Sequence, residues 1–564
     1  MNSLNMNKKE QQSPLNEEDL SSDQETAPAV GEYPAPEIML ERYMEAGLTM
    51  HAEAYKKVLE LCSLVKSAGG RALLVGGCVR DHFFNKLAKD FDVEIYGLEP
   101  DIIEDLIKNI GKVSVVGRAF GILKISLPSG LDIDVSLPRT DSKIGAGHRG
   151  FEVKTDPHMS IKEAARRRDF TMNALSSDPL TGKVYDYFNG LEDIKNRCLR
   201  VTDEEKFKDD PLRVLRALQF VGRFSLMIDP KSMDLMREIV PQIKELPKER
   251  IEIEWRKLLI KSEQPSLGLS AGMILGVFHE LHPELVAIEQ TPQEEKWHPE
   301  GSVWNHTLLS VDQAAKIIER EQLTEDMALV IVAATLCHDL GKPAVTKTVD
   351  GVIKSLGHEK AGEEPTKKFL SDIGFSGFVR DKVVKLVANH MVPTTFYANY
   401  LQGKGVSDGA IRRLAERIHP SSIYELVLVS EADYLGRGFF SPESREQMLM
   451  PSDNYLAGPY LLKRARDLEV ELSRPVSLTR GRDWITLGFK AGKDIGELIH
   501  LADRCRDELN LTREQVLSLV YNCEIIRSAD ERENSVEYRD VNQAIKILQE
   551  KLEEGREEKE IVKQ

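Results

Sequence analysis

Carboxylates at alternate positions of an apolar run carry the first chemical signal. In "KDFDVEIYG" Asp90 and Asp92 stand two residues apart, and on a strand the side chains at i and i+2 share a face. The run "LDIDVSLP" repeats the pattern with Asp132 and Asp134. Acidic groups gathered on neighbouring strands repel one another unless cations sit among them, and hard oxygen ligands suit Mg²⁺. A pair of divalent ions in such a cage serves in-line phosphoryl transfer. Just upstream, Gly76 and Gly77 close the apolar run "RALLVGG". Without Cβ atoms that turn lets the backbone approach a triphosphate, and the first amides of the following helix face the anion. Arg80 and Asp81 would steady the turn.

A second constellation lies further along: His306 in "VWNHTL", His338 and Asp339 in "LCHDLGK", His358 in "LGHEKAG", His390 in "VANHMVP" and Asp433 in "SEADYLG". Imidazole and carboxylate ligands without thiolate suit Mn²⁺, Fe²⁺, Co²⁺, Ni²⁺ or Mg²⁺ better than structural zinc. His358 and His390 fit a second ion or a substrate phosphate, and Gly341 and Lys342 let a phosphate approach. The other nine histidines, among them His279, His282 and His298, are assigned no role.

A third signal is polarity at a helix start. In "DDPLRVLRALQF" Asp210 is the expected cap, Pro211 the first helical residue, and Arg213 lies three residues on, on the same face. A carboxylate accepts and a guanidinium donates. Cytosine and adenine, each with an amine beside an acceptor nitrogen, fit that pair; uracil and guanine meet like against like, which strands buried polar groups. Ser160 and Glu163 form an expected capping box ahead of Arg166, Arg167 and Arg168, three cations where a pyrophosphate could leave.

Positioning these groups takes several domains, and 564 residues suffice for them. The chain carries a net charge of −16, which disfavours nucleic acid, but residues 1–50 hold 3 basic and 10 acidic groups and residues 529–564 hold 7 and 11, so the ends supply 11 of the 16. Local basic tracks remain available in between. No apolar run reaches the roughly 18 residues of a membrane span, no leader-like segment opens the chain, and six scattered cysteines suggest reduced thiols. A cytoplasmic protein without membrane or DNA partners is expected. The fold class read from the patterning is α+β: a head with a small mixed β-sheet, then an all-α body. The expected division is a disordered acidic segment over 1–50, the head over 51–200, a helical neck over 201–290, a histidine-bearing helical module over 291–440, a helical tail over 441–528 and a charged, solvated helical extension over 529–564.

"LLVGGCVRD", "KDFDVE", "GRAFGILKIS", "IDVSLPRTDSK", "RRRDFTMNAL", "YDYFNGLEDIKNRCLR" and "DDPLRVLRALQF" together resemble the class II tRNA nucleotidyltransferase (CCA-adding enzyme) and bacterial poly(A) polymerase family. The resemblance spans about residues 70–290, and the H…HD…H…H…D pattern beyond it resembles the HD phosphohydrolase superfamily. The first resemblance implies that Asp90 and Asp92 bind metal, with Asp134 as third carboxylate and Asp132 as rival. It places Gly76, Gly77, Arg80 and Asp81 in the triphosphate loop, and Arg167, Arg168, Asp169 and Asn173 in the element holding sugar and phosphates. Asp210 and Arg213 fall in the base-reading "E-D-x-x-R", where Asp209 replaces the first Glu, and Arg216 follows on the same helix. The second implies His306, His338, Asp339 and Asp433 as metal ligands. The implied activity is template-independent addition of CCA to a tRNA 3′ end from CTP and ATP with Mg²⁺. Implied beside it is hydrolysis of phosphomonoesters or 2′,3′-cyclic phosphates at the HD site. Poly(A) addition and C-only or A-only addition are alternatives within the class. Outside it stand an HD phosphohydrolase with an RNA-binding head and a non-catalytic RNA-binding protein.

Overall fold

The computed structural model describes residues 32–115, 122–143, 151–437, 455–528 and 536–563. The chain divides into two compact units, Met1–His282 and Pro283–Gln564. The class is α+β in the first and helical in the second, as the patterning indicated.

In the first unit α1 (Pro36–Glu45) and α2 (Thr49–Ser67) precede β1 (Arg71–Val75), α3 (Gly77–Phe83), β2 (Phe91–Tyr96) and α4 (Pro100–Ile107). There follow β3 (Lys112–Val115), β4 (Ile122–Ser126), β5 (Asp132–Ser136), a separate hairpin of β6 (Arg139–Lys143) and β7 (Phe151–Thr155), α5 (Ile161–Arg166), β8 (Ser176–Ser177) and β9 (Val184–Tyr185). The sheet runs β3-β4-β5-β2-β1-β8-β9. Every neighbouring pair is antiparallel except β2 and β5, which run parallel with Asp92 opposite Asp134. Helix α2 buries Tyr55, Val58, Leu61, Cys62 and Val65, one face at helical spacing, against the sheet.

The expected disorder of residues 1–50 is corrected in its second half. Tyr33, Met39 and Tyr43 are buried, the Tyr33 amide donates to the Gly182 carbonyl at 3.0 Å, and the Tyr43 hydroxyl donates to the Ala88 carbonyl at 3.0 Å. Two tyrosine rings and a methionine anchor α1 and the residues before it despite the polar composition; residues 1–31 lie outside the described residues.

Helix α6 (Leu212–Phe224) is sandwiched by α7 (Lys248–Lys261) and α8 (Pro265–Leu275). Gly268 faces the Leu218 carbonyl so closely that a Cβ would have no room, which lets α8 and α6 pack backbone to backbone. Pro211 is the N-cap and α6 starts at Leu212, one residue later than expected.

The second unit is built on α9 (Val303–Arg320), α10 (Glu325–Cys337), α11 (Gly377–Val387), α12 (Val392–Leu401), α13 (Asp408–Ile418) and α14 (Ile423–Leu435). Helix α10 is buried on every side from Ala328 to Cys337, packed by α9, α11 and α14. Glu325–Val345 is the one span among the described residues long and apolar enough to cross a membrane, and 83% of its window is buried; it reads as a core helix. Towards the C-terminus α15 (Asp494–Leu509) packs on α16 (Val541–Lys563). The solvated extension expected there is corrected too: Ala544, Leu548 and Leu552, at steps of four, are buried in one core with Trp484 and Phe489. Val541, Ile545 and Ile547 pack half-buried against the same core, so the helix presents an apolar face to it despite its charged composition.

Candidate functional site

β2 and β5 bring the head carboxylates together. Asp92 and Asp134 occupy matching positions of parallel neighbours, so both project on the same face. They line a cavity of about 570 Å³ with Gly76, Gly77 and Arg80. Period-two alternation left Asp132 and Asp134 as rivals, and pairing separates them. The Asp132 carboxylate accepts from Ser126 Oγ at 2.7 Å and from Lys124 Nζ at 3.3 Å on β4, whereas Asp134 faces the cavity. Burial, then the charge of Asp134, pushes the Asp92 carboxyl up to about 6. One oxygen of Asp134 is buried with no hydrogen-bond donor, with Lys124 Nζ 3.7 Å away. A raised carboxyl beside an orphaned carboxylate oxygen fits a hard divalent cation. Asp90 is exposed, one residue ahead of β2, and reaches Asp92 through its charge.

The cavity is otherwise cationic: nine basic and five acidic side chains line it in a chain of net charge −16. Gly76 has φ 68° at the N-cap of α3, a backbone state that favours glycine. A buried relay fixes the arginines. Asp81 accepts from Arg80 Nε at 2.8 Å, Arg80 donates to Asn173 Oδ1 at 2.7 Å, Asn173 donates to Asp169 at 2.8 Å, and Arg216 donates to Asp169 at 2.6 Å. Burial raises Asp169, but Arg216 and Asn173 outweigh it and hold the carboxyl below its usual range. Arg167 and Arg168 line the cavity and both donate to Glu94, at 3.0 and 3.2 Å. Arg166 departs from expectation: at the end of α5 it points to Asp203 and does not line the cavity. Of the expected capping box, the Ser160 hydroxyl does accept from the Glu163 amide, at 3.2 Å.

At the far wall Asp210 accepts from the Leu212 amide at 3.2 Å and from Arg250 at 2.8 Å. Arg213 donates to the carbonyls of Lys206 and Arg167 at 2.9 and 2.7 Å. Both line the cavity and both are held from behind; Asp209, the departure from the motif, does not line it. Glu94, Arg223 and Arg250 also belong to the site, and the sequence reading missed them. Glu94 had a signal, the third acid in the alternation Asp90, Asp92, Glu94, and Arg223 follows Arg216 by two turns of α6. Arg250 comes from another helix with no local cue.

In the second unit the histidine set converges. His306 on α9 lies with Nε2 3.0 Å from Asp433 Oδ1 on α14 and Nδ1 2.8 Å from Glu300 Oε1. His338 Nε2 is 3.2 Å from Asp339 Oδ2 and 3.7 Å from Asp433. His358 Nε2 is 3.3 Å from both Asp339 Oδ1 and His390 Nε2. His338, His358 and His390 each place Nδ1 2.7 to 2.8 Å from the carbonyl three residues earlier. A carbonyl only accepts, so Nδ1 carries the proton and the Nε2 lone pair turns inward, the orientation a metal ligand needs. Both oxygens of Asp339 and Nε2 of His338 are buried without a well-aligned hydrogen bond, their close contacts being ionic. Burial lowers His306, yet Asp433 and Glu300 raise it to about 9; the cluster attracts positive charge. Possible donor groups are His306, His338 and Asp339, and Asp339, His358 and His390, so Asp339 joins two sets. Lys342 Nζ lies 2.7 Å from Asp339, and a cavity of about 530 Å³ opens over the cluster. A third set of neighbouring donors is His298, Glu300 and His306; His298, to which the sequence reading gave no role, has Nδ1 2.9 Å from Glu300. It sits in the aperiodic stretch "WHPEG", which offered no spacing to read.

Three domain families match in order: the Poly A polymerase head domain over residues 72–200, the probable RNA and SrmB-binding site of polymerase A over 225–288, and the HD domain over 303–438. The chain is 35% identical over 313 residues to the multifunctional CCA protein of Pasteurella multocida, covering 55% of this chain and 71% of the relative. To that of Mannheimia succiniciproducens it is 32% identical over 397 residues, covering 69% and 88%. The crystal structure of the Bacillus stearothermophilus CCA-adding enzyme in complex with CTP superposes with a TM-score of 0.56 at 18% identity, covering 82% of this chain and 96% of that one, a likeness of fold. The chain therefore belongs to the tRNA nucleotidyltransferase and poly(A) polymerase family, as an enzyme of the multifunctional CCA protein type that carries an HD domain.

Proposed function

We propose that this enzyme adds CCA to the 3′ end of tRNA from CTP and ATP. The observation that carries the reading is Asp92 opposite Asp134 beside the Gly76 turn, in a cavity rich in arginine. The tRNA 3′-hydroxyl oxygen bonds to the α-phosphorus of the nucleotide as its proton passes to solvent, the bond to the bridging oxygen breaks, and pyrophosphate leaves. Asp92 and Asp134 would hold Mg²⁺, with Asp90, exposed one residue ahead of β2, as the further carboxylate. Divalent cations there supply activation of the attacking hydroxyl and stabilisation of the leaving oxygens.

The chain's own groups do the rest. The turn at Gly76 and Gly77 and the Arg80 relay seat the triphosphate, and Arg167 and Arg168, braced by Glu94, neutralise charge that builds as pyrophosphate departs. Asp210 accepts from the exocyclic amine of cytosine or adenine while a free N–H of Arg213 donates to the ring nitrogen. Both groups are anchored from behind, so the polarity they present stays fixed, and uracil and guanine are refused by mismatch. Arg216 acts through Asp169 on the same relay.

At the HD centre His306, His338, Asp339 and Asp433 would hold Mn²⁺, Ni²⁺, Co²⁺, Fe²⁺ or Mg²⁺, with His358 and His390 serving a second ion or the phosphate. The reaction that suits this centre is hydrolysis of a phosphomonoester or a 2′,3′-cyclic phosphate. For the cyclic ester, water oxygen bonds to phosphorus, one ribose P–O bond breaks, and that ribose oxygen takes a proton. A cytoplasmic site of action suits six cysteines that all stand as free thiols.

The test is incubation of tRNA lacking its terminal CCA with CTP, ATP and Mg²⁺, followed by sequencing of the product. Addition of CCA and arrest is the expected result. A homopolymeric A tail, or addition of only C or only A, replaces the reading with the corresponding alternative; no extension removes it.

A further inference from the structure

A second cavity of the HD module, about 440 Å³, is lined by Lys360, Arg413 and Arg417 among its charged groups, with Glu359 their single acidic companion. Glu359 and Met391 also line the cavity over the donor cluster, so the two hollows share a wall. Each of these residues follows a cluster histidine, His358 or His390. Arg413 and Arg417 are four apart on α13, where like charges destabilise a helix. Burial, and then Arg413, pulls the Arg417 guanidinium below its ordinary range. Among the described residues neither Lys360 nor Arg413 forms an ion pair, while the adjacent Arg412 meets Asp507. Arg417 is aimed: its Nε donates at 2.7 Å to Oδ1 of Asn389, a buried residue whose own amide nitrogen donates to the Lys385 carbonyl at 2.8 Å.

Three clustered cations facing a single carboxylate, Glu359, in a chain with a 16-charge acidic excess, call for an anion with several oxygens. A strand whose terminal phosphoester lies over the donor cluster carries its next backbone phosphate one nucleotide away, and the adjoining hollow shares the Glu359 and Met391 wall with that cluster's cavity. A free mononucleotide has nothing to put there. We propose that this cavity is a phosphate subsite that grips the penultimate backbone phosphate of an RNA whose 3′-terminal phosphoester lies at the HD centre. The HD module then acts on RNA ends in preference to free nucleotides. The proposal rests on the hydrolytic reading of the HD centre.

The experiment uses the full chain with Mn²⁺ and two substrates, an RNA tetranucleotide ending in a 2′,3′-cyclic phosphate and 2′,3′-cyclic AMP. Arg413→Ala combined with Arg417→Ala is expected to lower kcat/KM for the tetranucleotide by about tenfold or more and to leave cyclic AMP hydrolysis unchanged. Lys493→Ala, exposed and away from α13 in sequence, changes neither. An equal loss on both substrates, or no loss on the tetranucleotide, overturns the subsite. His338→Ala separates the two levels: if it leaves hydrolysis intact, or if the wild type hydrolyses neither substrate, the hydrolytic reading has failed. Fluorescence anisotropy with a 3′-phosphorylated tetranucleotide then decides the subsite by itself. Weaker binding by the double variant supports it, and equal binding overturns it.

Discussion

The two acidic centres of this enzyme solve the same electrostatic problem with different materials. In the head, carboxylates on adjoining strands face an open cavity, and burial, then the neighbouring charge of Asp134, raises the Asp92 carboxyl to about 6. In the HD module the groups are buried, imidazoles alternate with carboxylates, and backbone carbonyls lock the inward-facing nitrogens. Oxygen ligands of an open site share their cation with a substrate triphosphate and release it readily. A buried nitrogen-rich cluster retains a transition metal. On the proposed function, the head is completed by the cation its substrate brings, and the HD centre is built before substrate arrives.

The comparison breaks most visibly in crossed variants. Asp92→Asn is expected to lower nucleotide addition by on the order of 10³-fold and to leave hydrolysis of 2′,3′-cyclic AMP unchanged, while His338→Ala does the reverse; paired rate assays on each variant check this. Chelation sharpens it. Brief EDTA treatment abolishes nucleotide addition, which Mg²⁺ restores, whereas hydrolysis survives until longer chelation and then returns with Mn²⁺, Ni²⁺ or Co²⁺. Metal content of the dialysed protein, measured by mass spectrometry, supplies the independent readout.

A smaller effect concerns the base. Arg213→Ala is expected to narrow the preference for CTP and ATP over UTP and GTP by roughly 10–100-fold, measured as the ratio of kcat/KM values. Smaller again is the pH response. Asp92 must be ionised to hold a cation, and its pKa is raised, so addition at subsaturating Mg²⁺ falls as pH drops through about 6; excess Mg²⁺ displaces the midpoint downward. The same shift makes Asp92 costly to the metal-free fold. A raised carboxyl binds its proton more tightly when folded, so its stabilising contribution is present at low pH and is lost as pH rises from its unfolded value towards about 6. Asp92→Asn is therefore expected to stabilise the metal-free protein at neutral pH by on the order of 1–2 kcal/mol, seen as a higher thermal midpoint in chelator.

How far the sequence reached depends on the kind of information each feature needed. Strand periodicity placed β1, β2 and β5, and the pattern of His306, His338, Asp339, His358, His390 and Asp433 named side chains that do converge. The choice between Asp132 and Asp134 needed the pairing of β5 with both β2 and β4, which alternation along one strand does not contain. Arg250 and Arg166 illustrate opposite failures. One reaches Asp210 from 40 residues away in sequence; the other belongs to a basic run, but its place at the end of α5 turns it to Asp203. The C-terminal helix misled through composition, because Ala544, Leu548 and Leu552 form a narrow stripe in an otherwise charged segment.

The most direct measurement is anomalous diffraction from crystals soaked with Mn²⁺ and CTP. The account predicts a peak between the carboxylates of Asp92 and Asp134, with the CTP triphosphate along the Gly76 turn and Arg80, and a separate peak within reach of His338, Asp339 and Asp433. Manganese bound away from Asp92 and Asp134, or a triphosphate seated elsewhere, would contradict it.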